Sequence, residues 1–432
     1  MLKIRVLYIF LLVLMAACIP LTPTENESTP AATLTGSSET QPAEDPLNPT
    51  ATPSKDANNL VIWLPAQFAE EGDDGWAVLS SYLDRFEEQN PGYSVSVRLK
   101  NSTADNSLSD SLALASAAAP DSVPSIVLVN RMDLESAVEK DLLNPLTEIA
   151  MDTDTDWYEY ARNLGSFQEK LYGIPLAGDA LVLVYNSQVL TQEEIVGIDS
   201  WNSIIGLEKP VAFNAGDSLA ILPLTLYLSA GGIIQDEDLQ PALSVPVLTE
   251  VFRIFEQGTV NGVFPEWVSG IQNNDEAWMR LRYGEAEFLV TTVSSYIANR
   301  SANLLAIPLP ALNTGNYAIV DGWMWAVTDR DQQRRETAEM LVEFLSSDEF
   351  MAEWTRSAGF LPVRPSAMVS WPAQSDKTLL GKVILSLQEM PSSELIKVVQ
   401  VPLREGTLKV IESEEDSFRA ADQAAKALQP EN

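Results

Sequence analysis

The chain has 432 residues, a formal net charge of -34, no histidine and one cysteine. So large an excess of acid opposes binding to nucleic acid and to anionic lipid surfaces through Coulomb repulsion. Without histidine, and with Cys18 alone, the chain has no Ser-His-Asp or Cys-His nucleophile arrangement, no zinc site built on those ligands and no disulfide. Paired-carboxylate chemistry of the glycosidase kind stays open, although acid this abundant is first of all a solvated surface. A hydrophobic content of 46% and 10 Trp supply a substantial core, and the length suits two ordinary domains.

In chain order, Lys3 and Arg5 precede an uninterrupted apolar run over 6–17 that ends at Ala16-Ala17-Cys18. The run is too short to span a bilayer and has the layout of a secretory signal. Leu14-Met15-Ala16-Ala17-Cys18 is similar to a bacterial lipoprotein signal, with Met15 in place of the usual Leu; the resemblance implies lipid attachment at Cys18. Residues 19–58 are rich in Thr, Pro, Ser, Ala, Glu and Asn, a composition that predicts a disordered tether.

The globular part opens with the apolar strand 60–64, then an amphipathic helix carrying Trp76, Leu79, Leu83 and Phe86, stopped by Asn90-Pro91-Gly92. Alternation at Tyr93, Val95, Val97 and Leu99 predicts a second strand, residues 107–118 a second helix, and 126–129 a third strand. Strands alternating with helices predict an α/β fold with mostly parallel sheets covered on both faces. Further strands are predicted at 181–185, 211–213 and 288–291, and helices at 219–229, 247–256 and 275–283. Ala338, Leu341, Val342 and Leu345 form a helical stripe that reads as core. A helix with Phe350 and Trp354 follows, and 412–427 reads as a solvated terminal helix.

The order of these elements resembles the solute-binding proteins of bacterial ABC transporters, in particular the sugar-binding group to which maltose-binding protein belongs. The motifs that carry the likeness fall in the family's order over about 59–370. They are Leu60-Val61-Ile62-Trp63, then Pro124-Ser125-Ile126-Val127-Leu128-Val129, then Glu139-Lys140-Asp141-Leu142-Leu143-Asn144-Pro145-Leu146. Leu171-Tyr172-Gly173-Ile174-Pro175 leads to Val184-Tyr185-Asn186. Tyr283-Gly284-Glu285-Ala286 leads to Thr291-Thr292, and Gly359-Phe360-Leu361-Pro362-Val363-Arg364 closes the series. Ser125 and Asp141 depart from the family's Asp and Gly. The resemblance implies a two-lobe periplasmic-binding-protein fold of type II, with the ligand cleft between the lobes and hinge closure around the ligand. Lobe 1 would hold 59–180 with 322–366 and lobe 2 would hold 181–321 with 367–432. The chain would cross near Asp179-Ala180 and Asp321-Gly322.

Ligands of open α/β sheets gather beyond the carboxyl ends of the strands. That rule points to Gln67 and Phe68 after the first strand, and to Asn130, Arg131 and Asp133 after the third; Asn130 and Arg131 serve equally well as a helix cap and a surface pair. The resemblance implies that Asp179 accepts from sugar hydroxyls and that Tyr296 stacks on the ligand. Asp321-Gly322-Trp323-Met324-Trp325 is an aromatic cluster at a crossing, with Asp321 as a second acceptor and Trp323 as a cover for an apolar sugar face. Trp325, Trp63, Tyr172, Trp201 and Trp354 read as packing, and Asp217 as a helix-start cap. The resulting expectation is a lipid-anchored, monomeric, extracytoplasmic receptor with no enzymatic activity, cofactor or metal. It would deliver a small solute, favoured to be carbohydrate, to an ABC permease, touching the membrane only through its lipid. A polyamine or other cationic solute on the same fold remains open, as does a surface carbohydrate-active enzyme using two carboxylates.

Overall fold

The computed structural model describes residues 58–69, 74–101, 107–146, 156–371 and 375–429; the signal, Cys18 and the tether to residue 57 lie outside them. The strand Asn59–Pro65 is buried at every position after Asn59, as an unbroken apolar run requires. It pairs in parallel with Ser94–Lys100 on one side and with Ile126–Asn130 on the other. Between the first two runs the helix Asp74–Gln89, which turns Leu79, Tyr82, Leu83 and Phe86 inward. It stops where the Asn90 side-chain amide donates to the Phe86 carbonyl at 2.9 Å.

Two long strands run through the middle of the sheet and join its two halves. The first, Gly173–Asn186, has 14 residues, well beyond the usual five or six. Its first half pairs antiparallel with the second crossing strand, Ala318–Val327, which lies antiparallel to Ile126–Asn130. Its second half pairs antiparallel with Phe288–Thr292 and Leu304–Pro308, and Val211–Ala212 runs parallel to Phe288–Thr292. The sheets are therefore mixed: the parallel set of the first lobe is the one expected, and the antiparallel pairings come from strands that leave and return in opposite directions.

Side-chain alternation divides the interior. Val182 and Val184 join the core shared with the first lobe, while Leu183 and Tyr185 face a second core. That second core is closed by the helix Val245–Val260 and by two C-terminal helices, Ser393–Ile411 and Ser417–Lys426. The terminal helix is less solvated than its composition suggested. Ala420, Ala421 and Ala424 are buried where it packs on Val245–Val260, and the Ser417 hydroxyl donates to Glu256 at 2.7 Å. Trp63, Tyr172, Trp201, Trp325 and Trp354 are all buried.

At the crossing, Gly178 faces Gly322 in register. The helix Glu159–Leu164 lies directly on this pair: a Cβ on Gly178 would meet the Tyr160 ring at 2.8 Å, and one on Gly322 would meet Leu164 at 2.6 Å. One residue along each strand, Asp179 faces Asp321. Alternation sends these carboxylates to the opposite side of the sheet, away from the helix.

Candidate functional site

On that side lies a cavity of about 370 Å³, with Asp179 and Asp321 among the residues lining it. The elements around the first core contribute Gln67, Trp323 and Phe360. Gln67 stands on the short turn Ala66–Phe68 just past the carboxyl end of the first strand. Trp323 rests edge-on against Phe68, with ring centroids 4.7 Å apart. Phe360 lies 5.5 Å from Phe68 and stacks on Trp354 at 5.7 Å. It is set in place by Gly359, whose left-handed backbone (φ 78°) ends the helix Asp348–Ala358.

The elements around the second core supply an apolar wall, chiefly Leu219, Ile221 and Leu222, interrupted by Asn214, Asp217, Arg404 and Thr407. Asp217 accepts from the N–H groups of Leu219 (3.1 Å) and Ile221 (2.9 Å), closing the turn that starts the helix Ile221–Ser229. Burial raises its pKa, and the nearby Arg404 charge pulls the other way. The Arg404 guanidinium makes no hydrogen bond or salt bridge among the described residues. The Asn214 Oδ1 is buried without a partner among them. An orphaned acceptor on a cavity wall calls for a donor from solvent or ligand.

The two floor carboxylates differ in their partners. Asp179 accepts from the N–H of Ala180 (3.0 Å) and from the N–H and hydroxyl of Ser294 (3.1 and 2.5 Å). Burial still raises its pKa against these donors. Among the described residues Asp321 accepts from the N–H of Gly322 (2.8 Å), and the Arg131 backbone N–H acts on it in the same sense by lowering its pKa. Burial pushes its pKa up to about 6, with a further contribution from the charges of Asp179 and Asp133.

Of the residues expected at the site, Gln67, Asp179, Asp321 and Trp323 line this cavity. Phe68 is 3% exposed and sits beneath Trp323 as its support. Tyr296 is 3% exposed and turned into the core, where burial first of all pushes its pKa up to about 12. The helix Val293–Asn299 begins in a register that presents Ser294 to the cavity in its place. Asn130 caps the helix Arg131–Glu139 by accepting from the Asp133 N–H at 2.9 Å. The Arg131 side chain turns away to Glu135 (2.6 Å) and to the carbonyls of Asn163, Leu164 and Ser166. Asp133 is buried and accepts from the Ser109 N–H at 3.0 Å. These three polar residues assemble the scaffold and not the cavity wall.

Sequence reasoning missed Asn214, Phe360, Arg404 and Thr407. Asn214 was within reach of the strand-end rule, since it follows Val211–Ala212 closely. Phe360 sits inside the Gly359–Arg364 motif. Nothing local marked Arg404.

A family model for bacterial extracellular solute-binding proteins matches residues 81–379, well over half of the chain. The chain belongs to this family. Its members are binding proteins, not enzymes, and act outside the cytoplasm. Among curated relatives, binding proteins of Brucella abortus (strain 2308) and Brucella suis biovar 1 (strain 1330) are 22% identical over 213 residues, 45% of this chain and 51% of each relative. The chain thus spans about half the length of the curated relatives it matches. Solved structures agree in fold over nearly the whole neighbour. The GacH receptor of Streptomyces glaucescens, crystallised unliganded and with acarbose, is 17% identical with a TM-score of 0.68, covering 85% of this chain and 97% of that one. Maltose-bound MalE3 of T. maritima is 18% identical with a TM-score of 0.67, covering 86% and 98%. The sugar-binding protein MalE of Xanthomonas citri is 17% identical with a TM-score of 0.70, covering 85% and 95%. At these identities the likeness establishes the two-lobe fold of this solute-binding protein.

Proposed function

We propose that this binding protein captures a carbohydrate between its lobes, held to the cell membrane by a lipid on Cys18, and delivers it to the permease of an ABC importer. The carrying observation is the placement of an aromatic face, Trp323 and Phe360, in the same cavity as the acceptors Asp179 and Asp321 at the point where both strands cross. Sugars offer apolar C–H faces to rings and a rim of hydroxyls to polar groups, and this cavity has both kinds of wall. The likeness to proteins crystallised with maltose and acarbose supports the reading. In this reading the lobes meet at 179–180 and 321–322 and close by bending there, with Gln67, Asp179, Asp321 and Trp323 touching the solute. The single chain acts as a monomer.

The test is a thermal-shift screen of the protein against mono- and oligosaccharides. A ligand that binds only the folded state at a hundredfold excess over its dissociation constant adds about 2.7 kcal/mol of apparent stability. Trp323→Ala should reduce the affinity of the stabilising sugar by about 10- to 100-fold, the loss of one buried aromatic contact. A screen in which no sugar shifts the melting temperature, or a shift that Trp323→Ala leaves intact, would remove the cleft from this role.

A further inference from the structure

We propose, building on the carbohydrate reading, that the solute carries a protonated amine seated over Asp179 and Asp321, which makes this protein a receptor for an amino sugar. A carboxylate that recognises hydroxyls must have lone pairs to offer, and a carboxylate has about four acceptor sites. Asp179 accepts from the Ala180 N–H and from the N–H and hydroxyl of Ser294, which leaves it about one acceptor site for a ligand. Beyond that site, what it presents to the cavity is negative charge. Asp321 stands directly across the strand pair from it, and like charges in opposed register repel.

Among the described residues no basic side chain answers that pair. Arg131 gives Asp321 only its backbone N–H, while its guanidinium is tied to Glu135 and to carbonyl oxygens of the 163–166 segment. Arg404 is the one basic residue lining the cavity among the described residues, and its charge acts on Asp217. Burial raises the pKa of both floor carboxylates, so it disfavours their charged forms, and a cation beside them offsets that cost. An ammonium brings one positive charge and three donors, which suits a pair of facing carboxylates. The adjacent Trp323 and Phe360 faces also favour a cation. A neutral hydroxyl brings no charge, so it leaves the repulsion between the two acids in place. The rest of the sugar would lie against the aromatic and aliphatic walls.

The experiment is calorimetric titration of the full chain in detergent solution with matched probes: glucosamine, glucose and N-acetylglucosamine, the corresponding β-1,4 disaccharides, and spermidine. The expected result is that the free-amine sugar binds at least 30-fold more tightly than its hydroxyl or N-acetyl counterpart. That preference should fall below threefold in Asp321→Asn. If the variant fails to fold, the preference measured on the unaltered protein decides the matter alone. Neutral sugars binding as tightly as the amine would overturn this inference and leave the carbohydrate reading standing. Binding of spermidine alone, or of no sugar, would overturn the carbohydrate reading and this inference with it.

Discussion

Asp321 is poised by burial between its charged and neutral forms, and that condition has a measurable cost. Its pKa stands near 6 in the folded protein, against an ordinary 3.8. Between those values the folded state holds more protons than the unfolded chain, so stability falls as pH rises through the window. Fully ionised, the group costs the fold up to about 3 kcal/mol, at about 1.4 kcal/mol per pH unit. Asparagine keeps an acceptor for the Gly322 and Arg131 N–H groups without the charge. Asp321→Asn should therefore be more stable than the unaltered protein at pH 7, by about 1–3 kcal/mol. The gap should close near pH 4, where both carry a neutral group. Denaturant melts at the two pH values check this, and an equal gap at both would show that the side chain acts by packing alone. Residue type told less elsewhere: Asn130, Arg131 and Asp133 look like ligand groups in the sequence, but their hydrogen bonds go to Asp133, Glu135 and Ser109. Which neighbour a polar atom meets is settled by tertiary packing, and no local pattern carries that information.

Among the elements, the turn at Gly359 couples helix geometry to the cavity. It leaves the helix Asp348–Ala358 in the left-handed region, where its N–H and that of Phe360 both reach the Thr355 carbonyl. An added Cβ would meet Ile297 at 2.8 Å. Gly359→Ala should cost about 1–3 kcal/mol through strained backbone and this contact. It should also weaken solute binding through displacement of Phe360, read as a raised dissociation constant in the temperature range where the variant is folded. Unchanged affinity would detach Phe360 from the site. Elements with an unbroken pattern were legible, among them the first three strands and the helix carrying Leu341 and Val342. The crossing strand was recognised only over 181–185, because Gly173, Pro175 and Gly178 read as breakers. Pro175 is accommodated where the register shifts between Trp323 and Met324, the kind of irregularity at which a strand tolerates proline. The helix Ser393–Ile411 went unrecognised for a related reason: Pro402 and Gly406 lie within it.

For the molecule as a whole, the two-lobe plan could be read from the order of strands and motifs, since sequential βα units leave few topologies open. The net charge of -34 acts at this scale too. Self-repulsion on that level disfavours the compact state and is screened by salt. Raising sodium chloride from 20 to 200 mM should increase the melting temperature by about 2–4 °C. A flat response in differential scanning fluorimetry would mean that the carboxylates are locally compensated. The site draws on the whole length of the chain, from Gln67 to Thr407. The helix bearing Arg404 and Thr407 is also pinned at its start, where the Ser393 N–H donates to Glu135 at 2.7 Å. During synthesis, therefore, both sheets are already translated while the pocket still lacks a wall. A chain leaving the ribosome therefore cannot hold a solute in this pocket until the helix bearing Arg404 and Thr407 has emerged and docked.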